Sequence, residues 1–562
     1  MQNKIIYFLL YCLSLFGYVH AQESNLPYKR ELEKAEVFLR SGDFQSALTV
    51  LDDITTTYPE ASDVFYAKGL LYGQMSNYTA AIDNANKAYE LNANLQTLNL
   101  LLDLYRADNR PDDIVGALQD YRHKNPGLTF ISRELISTLA AHNRIDDAMR
   151  VYDEEVQANR GSDTLTVLKA ELLIRNEKLK EVVDLLSPLE GESRFAPVYS
   201  TLGYVYASQD NPKKAIQILD KGLKITKAPI LYLDLADAYR QDKKMRQAYE
   251  ALLSAFNAME VDFLDKHRVM LGLTQGGNAE LTLDQIQQLA NTLVLKHPRI
   301  AESHIVKGNV LWQRGNLEEA RSLFLTAVGI NPKQLDAWRM LINADLALQE
   351  PASAIQHGTE ALTANPGNPT LLYFTGLAYL VQEDYDNSRQ MLESALDNSE
   401  NENDYLKSVI YGTLGDLYHQ LEMHAASDIA YEESLSLDST NITVLNNYAY
   451  YLAIRKKDLD KAERYSRISN ELEPNSATLQ DTYAWVLFQQ GKYQEALSWI
   501  EKAVKSDQAS AVLLEHYGDI LSMVGREKDA LKQWERALNL YAGTEDEVQK
   551  LETKIKEGKY VE

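Results

Sequence analysis

Two consecutive stretches of equal length decide the fold: residues 477–510 read ATLQDTYAWVLFQQGKYQEALSWIEKAVKSDQAS, and residues 511–544 read AVLLEHYGDILSMVGREKDALKQWERALNLYAGT. In each stretch a small residue is followed by a large one three residues later and by an alanine twelve residues later, as in Ala484, Leu487 and Ala496. Two antiparallel helices approach closely only where side chains are small, and large side chains fill the space on either side. Each stretch therefore predicts a helix–turn–helix unit that must stack on its neighbour.

The same stride of 33 or 34 residues runs through the N-terminal half of the chain. The first helices carry the recurring position at Ala35, Gly69, Leu102, Ile136, Ala170, Gly203 and Ala236. The second helices carry it at Ala47, Ala81, Ile114, Ala148, Val182, Ala215 and Ala248. Four of these residues are large, so we expect the third to fifth units to pack less closely.

The spacing of 33 or 34 residues between equivalent positions is interrupted at two places. Residues 272–278 (GLTQGGN) interrupt it first, and Leu283–Lys296 resumes it as a second helix, so we predict one irregular repeat with a long loop at residues 263–300. The glycines of that loop lack the spacing of a phosphate-binding loop. Residues 398–404 (NSENEND) interrupt the rhythm again and predict a solvated acidic loop at 398–407.

These interruptions divide the predicted array. Seven repeats are predicted in residues 22–262, three in 301–397 and four in 408–543. The recurring small position returns at Gly308, Ile342, Gly376, Gly415, Ala449, Ala484 and Gly518. Residues 544–562 are predicted to form a capping helix over residues 545–559, with Val548, Leu551 and Ile555 covering the last repeat.

One sequence motif connects this array to a known family. Tyr199-x-x-Leu202-Gly203-x-x-Tyr206, followed by Ala215, closely resembles the tetratricopeptide repeat. The same motif recurs as Tyr411, Leu414, Gly415 and Tyr418. In both copies its first residue is tyrosine, where the family often has tryptophan. The resemblance implies an all-α fold, an α-solenoid that coils as a right-handed superhelix of about fifteen repeats.

The N-terminus reads as a cleavable export signal at residues 1–21. Lys4 supplies the positive charge, residues 5–16 form an apolar core too short to span a bilayer, and Ala21 is suited to cleavage. Cys12 is the only cysteine, and the bulky Tyr11 before it argues against lipidation. We expect an exported mature chain without thiols, located in the periplasm or at the periplasmic face of an outer membrane.

Composition and motifs exclude several classes of function. The chain has 57 basic and 81 acidic residues, and such an acidic chain repels phosphate backbones and anionic lipids. Nucleic acid and direct membrane insertion of the mature chain are therefore not predicted. No zinc-protease, nucleophile-elbow, Walker or dinucleotide motif occurs, and His419 and His424 are placed on different helix faces. We predict no enzyme activity, cofactor or metal site.

The resemblance implies instead a groove lined by the first helices, which binds peptides of other proteins. Its groove positions lie three before, one after and four after each recurring small residue. In the last block the candidates are Asp416, His419, Asn446, Tyr450, Asp481, Trp485, Phe488, Glu515 and Asp519, together with Ala453 and Ser522. The aromatic candidates Tyr450, Trp485 and Phe488 could equally be core between repeats.

The sequence thus predicts a non-enzymatic scaffold or adaptor of the bacterial cell envelope, which binds partner proteins for assembly or secretion. Two alternatives stay open. One is an enzyme with a dispersed active site, for example one that modifies polysaccharides, and the other is a purely structural spacer.

Overall fold

A computed structural model describes residues 26–158, 161–275, 281–400, 402–505, 510–540 and 545–561. The predicted leader with Cys12 and residues 276–278 of the glycine-rich loop lie outside these described residues. The chain divides between Val261 and Asp262 into two compact units. Within the described ranges all regular structure is helical, with thirty-one α-helices, one 3-10 turn at Ser187–Leu189 and no strand. None of these helices combines the length and apolar character needed to cross a bilayer.

The N-terminal unit contains seven helical hairpins, in which odd-numbered helices come first. Its helices are α1 (Lys29–Arg40), α2 (Phe44–Thr57), α3 (Ser62–Gln74), α4 (Tyr78–Leu91), α5 (Leu95–Ala107), α6 (Pro111–Lys124), α7 (Thr129–Ala141), α8 (Ile145–Gln157), α9 (Asp163–Arg175), α10 (Leu179–Leu186), α11 (Ala196–Ser208), α12 (Pro212–Thr226), α13 (Leu231–Gln241) and α14 (Met245–Asn257).

The C-terminal unit contains eight hairpins and one further helix. Its helices are α15 (Phe263–Gln275), α16 (Leu283–Lys296), α17 (Ala301–Gln313), α18 (Leu317–Ile330), α19 (Leu335–Ala347), α20 (Pro351–Ala364), α21 (Pro369–Val381), α22 (Tyr385–Asp397), α23 (Asp404–Gln420), α24 (His424–Leu437), α25 (Ile442–Ile454), α26 (Leu459–Leu472), α27 (Ala477–Gln489), α28 (Tyr493–Ala503), α29 (Ala511–Met523), α30 (Glu527–Leu540) and α31 (Glu545–Glu557).

Close approach of the two helices in a hairpin explains the recurring small residue. A Cβ added at Gly518 would lie 2.5 Å from Trp534 Cδ1, and one added at Gly415 would lie 2.5 Å from Tyr431 Cε1. Gly203, Gly308 and Gly376 face Leu219, Phe324 and Leu392 in the same way, each sixteen residues later. The small residue therefore receives the large side chain of the second helix.

The third, fourth and fifth hairpins have a large residue at one or both of the recurring positions. Leu102, Ile114, Ile136 and Val182 are all buried, so they occupy the same interface as the glycines. The helices of the third, fourth and fifth hairpins approach each other over less of their length than those of the second hairpin, which is built on Gly69. A large side chain at this position thus goes with a less extensive contact than the one built on Gly69 and Ala81.

The turns inside the hairpins share a left-handed backbone residue. Fourteen hairpins have at least one residue with positive φ in the turn, and the turn of the other hairpin includes residues 276–280, which lie outside the described residues. Four of these turn residues are glycine, which adopts this conformation without strain. The others are Ser76, Asn109, Asn143, Glu177, Asp210, Lys243, Gln349, Glu383, Glu422 and, within a single turn, Lys456 and Asp458.

The acidic loop predicted at residues 398–407 is shorter than expected. Helix α23 begins at Asp404, because the Asn403 side chain caps it by accepting a hydrogen bond from Leu406 N at 2.9 Å. Ser399 is buried and donates to Leu396 O at 2.7 Å. The polar, acidic run therefore includes the N-cap of α23, which its composition alone did not indicate.

The capping helix also ends earlier than predicted. Helix α31 stops at Glu557, where Gly558 takes φ 68° and donates its N–H to Lys554 O at 2.9 Å. Leu551 is fully buried with Leu514, Leu521, Trp534 and other core residues of the last hairpin, and Ile555 packs against them. Helix α31 therefore covers the apolar face of the last hairpin, the face that each earlier hairpin buries against the next one.

Candidate functional site

The predicted groove residues all lie on first helices of the C-terminal unit, namely α23, α25, α27 and α29. Side-chain contacts join α23 to α25 and α27 to α29, and α25 packs directly against α27. Asn447 Nδ2 on α25 donates to Asp416 Oδ1 on α23 at 3.0 Å, and His516 Nδ1 on α29 lies 2.9 Å from Asp481 Oδ1 on α27. The four helices thus present one continuous surface, which we call the first-helix surface.

Asp416 is held within this surface rather than displayed on it. It accepts a hydrogen bond from Tyr431 Oη at 2.6 Å as well as the one from Asn447. Burial raises the pKa of Asp416 above its ordinary value, although both hydrogen bonds act to lower it. Its role in the described structure is to tie α23 to α24 and α25.

His419 stacks flat on Tyr451, with ring centroids 3.6 Å apart. The His419 and His424 rings lie 5.5 Å apart, which corrects the expectation that they point to different faces. His424 begins the next helix, so the turn between α23 and α24 brings the two rings together. Burial, reinforced by Arg455 and His424, lowers the pKa of His419, so this ring is neutral near pH 7. The described residues contain no group of three or more side chains suited to holding a metal ion.

Asn446 and Tyr450 occupy α25 one turn apart. Asn446 is only 9% exposed, its Nδ2 donates to Asn447 Oδ1 at 3.3 Å, and its Oδ1 has no hydrogen-bond partner among the described residues. The half-buried Tyr450 ring lies 6.2 Å from the His516 ring. Ala453, one turn further on, is fully buried.

Trp485 is the centre of an aromatic stack on α27 and α29. Its indole lies parallel to Phe488 at 4.8 Å and to His516 at 4.1 Å. Its Nε1 is buried and, within the described part of the chain, has no acceptor. Phe488 is 5% exposed and belongs to the apolar core, so only part of the predicted aromatic set is open to a partner.

His516 was not predicted, and it organises this stack. Burial by itself lowers the pKa of His516, but Asp481, followed by Asp519 and Glu515, outweighs burial and raises that pKa. The charged imidazolium is thus favoured beneath Trp485, where it donates to Asp481. Asp481 and His516 are thirty-five residues apart in equivalent parts of neighbouring repeats, and only that one-repeat spacing could have indicated the pair.

Glu515 and Asp519 on α29 are already engaged by the C-terminal helix. Lys554 Nζ lies 2.7 Å from Glu515 Oε1 and 2.7 Å from Asp519 Oδ2. Asp519 is 1% exposed and also accepts from Trp534 Nε1 at 2.9 Å. Burial raises the pKa of Asp519 to about 6 even though Lys554 opposes the shift.

Ser522 and Phe488 are engaged by the residues that follow α31. Tyr560 N donates to Ser522 Oγ at 2.9 Å, and the Tyr560 ring packs edge-on against Phe488 at 5.3 Å. The first-helix surface therefore has two parts. The covered part consists of Phe488, Glu515, Asp519 and Ser522, which α31 and the residues after it contact. The open part consists of the half-buried Tyr450 and Trp485, together with Asn446, whose side chain is itself buried at 9% exposure.

The fold and this surface define a class of protein, an all-α helical-repeat protein whose hairpins bury small residues at a fixed stride. Comparison with known families agrees. Tetratricopeptide repeat profiles match residues 341–542, residues 32–95 and 287–334, and residues 196–229. The chain belongs to the tetratricopeptide repeat family. Proteins of this family generally act as scaffolds that bind other proteins.

Individual relatives are distant. The TPR repeat-containing protein MJ1428 of Methanocaldococcus jannaschii is 20% identical over 357 residues, which cover 59% of this chain and 60% of that protein. Among solved structures, the APC/C hetero-tetramer Cut9-Hcn1 is 12% identical with a TM-score of 0.40, covering 90% of this chain and 98% of that one. A tetratricopeptide repeat protein of Parabacteroides merdae is 18% identical with a TM-score of 0.36, covering 46% and 98%. Yeast Tom70 is 16% identical with a TM-score of 0.34, covering 90% and 96%.

Proposed function

We propose that this chain is an exported scaffold of the bacterial cell envelope, which holds segments of partner proteins on the open part of the first-helix surface. The partners are components of an assembly or secretion complex in the periplasm or at the outer membrane. The positive start, short apolar core and small residue at Ala21 support export. Edman sequencing of the exported protein should give Gln22 as the first residue.

One observation carries the binding site: on the neighbouring first helices α25 and α27, one polar atom each of Asn446 and Trp485 is buried and has no hydrogen-bond partner among the described residues. Asn446 Oδ1 can only accept a hydrogen bond, and Trp485 Nε1–H can only donate one. An unsatisfied buried polar atom costs about 1–3 kcal/mol, so a ligand that supplies the missing partners recovers that cost. The main chain of an extended peptide supplies both an N–H donor and a C=O acceptor at each residue.

The neighbouring groups favour a protein ligand further. Tyr450 and Trp485 are both half-buried, and stiff aromatic rings with a polar end are characteristic of protein interfaces.

The test removes the indole donor while keeping an aromatic ring. Partners are first crosslinked and purified from an envelope fraction, and their affinity is then measured for Trp485→Phe. We expect the affinity to fall about 3- to 10-fold, the loss of one hydrogen bond, with little change in melting temperature. Trp499→Phe, the same change on second helix α28, is the matched control and should leave affinity unchanged.

Other outcomes contradict the proposal. Equal partner affinity in wild type and Trp485→Phe would show that the open part is not the binding site. Turnover of a soluble glycan by the purified chain, without any co-purifying protein, would favour an enzyme. Neither partner nor turnover would favour a structural spacer.

A further inference from the structure

The covered part of the first-helix surface is built to receive a positive charge. Asp519 is 1% exposed and Glu515 is half-buried, and these two carboxylates lie on the same face of α29 one turn apart. Their shared partner Lys554 has only 7% of its side chain exposed. Two carboxylates this close repel each other unless a cation lies between them. The charged pair is therefore stable only with a basic group beside it.

A second, separate contact lies beside the charged one. Helix α31 ends at Gly558, and the chain then returns so that Tyr560 contacts Phe488 and Ser522. Lys554 Nζ also lies 5.5 Å from the centre of the Tyr560 ring. The covered part thus recognises a defined pattern, a lysine near the end of a helix followed six residues later by an aromatic ring.

The resident segment is held by few apolar contacts of its own. Leu551 is its one fully buried apolar side chain among residues 548–561, while Tyr560 and Ile555 are half-buried and Lys556, Glu557 and Lys559 are exposed. The buried ion pairs cost desolvation that offsets much of their attraction. A segment from another protein with the same two groups would make the same contacts, in competition with a resident segment that is tethered to the site.

We propose that the covered part is a receptor site for a basic–aromatic segment of a partner protein, and that Lys554 and Tyr560 fill this site until such a segment replaces them. This inference rests on the proposed scaffold function and extends it. The open part binds a partner's main chain, and the covered part adds selectivity for partners that carry a lysine or arginine and an aromatic residue. Only a partner segment that displaces Lys554 and Tyr560 can therefore bind to both the open part and the covered part.

The test uses the full chain and a labelled synthetic peptide with the sequence of residues 551–561, LETKIKEGKYV. The release variant Lys554→Ala/Tyr560→Ala removes both resident groups and leaves the receptor carboxylates intact. In fluorescence anisotropy titrations it should bind the peptide at least about tenfold more tightly than wild type, because the resident lysine and tyrosine no longer compete with those of the peptide. Lys556→Ala/Tyr405→Ala removes the same residue types from exposed positions and should match wild type.

Specificity is measured with a second peptide in which the lysine and tyrosine equivalent to Lys554 and Tyr560 are alanine. This peptide should not bind the release variant, and Asp519→Asn in the release variant should weaken the original peptide. Equal affinity in the release and control variants, or equal binding of the two peptides, would overturn the inference.

Two further measurements keep the result interpretable. If the double variant does not fold by circular dichroism, Tyr560→Ala alone should still bind the peptide about 3- to 10-fold more tightly than wild type, and no gain would overturn the inference. A concentration-dependent dimer of wild type that the release variant loses would mean that a second copy fills the site, which also overturns it. Trp485→Phe should leave peptide binding unchanged, so its effect on the partner tests the proposed function separately.

Discussion

Replacing Gly518 by alanine should open the last hairpin. The new Cβ would lie 2.5 Å from Trp534 Cδ1 and 2.9 Å from Trp534 Cε2, about an ångström closer than ordinary van der Waals contact. Trp534 is fully buried and its Nε1 is bonded to Asp519, so the ring has no free space in which to move.

The magnitude follows from three opposing effects. Overpacking of this kind costs about 1–3 kcal/mol. Weakening the hydrogen bond from Trp534 to the Asp519 carboxyl group costs up to about 1.5–3 kcal/mol more. The better helix propensity of alanine returns about 1 kcal/mol. We therefore expect Gly518→Ala to destabilise the last hairpin by about 2 kcal/mol.

Hydrogen exchange followed by mass spectrometry is the suitable assay, because repeat arrays open locally rather than as one unit. Peptides from α29 and α30 should exchange about 30-fold faster in Gly518→Ala, which corresponds to about 2 kcal/mol. Peptides from the N-terminal unit should be unchanged.

A glycine with open space around it provides the control. A Cβ added at Gly116 in α6 meets no atom within 4 Å, so Gly116→Ala should instead stabilise its hairpin, by about 0.5–1 kcal/mol. Exchange in α29 and α30 that is unchanged or slower in Gly518→Ala would refute the packing argument.

Three other predictions concern charge, turns and caps. Because Asp481 raises the pKa of His516, the stability that His516 contributes is complete below pH 6.5 and is lost as pH rises through the raised pKa. The stability difference between wild type and His516→Gln in urea unfolding should therefore shrink as the pH rises above 6.5, and a constant difference would contradict the ion pair. Gln349 has φ 59°, so Gln349→Gly should stabilise its hairpin by about 0.5–1 kcal/mol in local hydrogen exchange, whereas a loss would contradict the assigned turn. Thr282 and Gln285 form a capping box at α16, and Thr282→Ala should speed exchange in that helix by about fivefold, the effect of about 1 kcal/mol; no change would contradict the cap.

Sequence reasoning recovered the hairpins because their packing depends on a repeated steric rule. Gly415 and Gly518 each face a large residue sixteen positions later, and that relation is periodic in the sequence. The turns were only partly predictable. Glycine signalled the turns at Gly42, Gly315 and Gly491, but residues such as Lys243 and Glu383 adopt the same backbone without any local signal, because packing of the two helices imposes it.

The site was harder to predict, since its contacts join different repeats. The stride located the first-helix surface and placed Asn446 and Trp485 on it, but it could not show which polar atoms would lack partners. The helix at residues 545–559 was predicted as an apolar cap. Lys554 lies three residues after Leu551, on the same side of the helix, and that spacing was the available signal for its contact with α29.

Site-specific photocrosslinking tests the central claim, that partners bind on the open part of the first-helix surface. A photoreactive phenylalanine analogue placed at Tyr450 in cells should crosslink one or a few defined envelope proteins, and Trp485→Phe should reduce the yield. The same analogue at Ile429, which is 64% exposed on second helix α24, should give none of these products. Identical products from Ile429 and Tyr450, or none from Tyr450, would contradict the account.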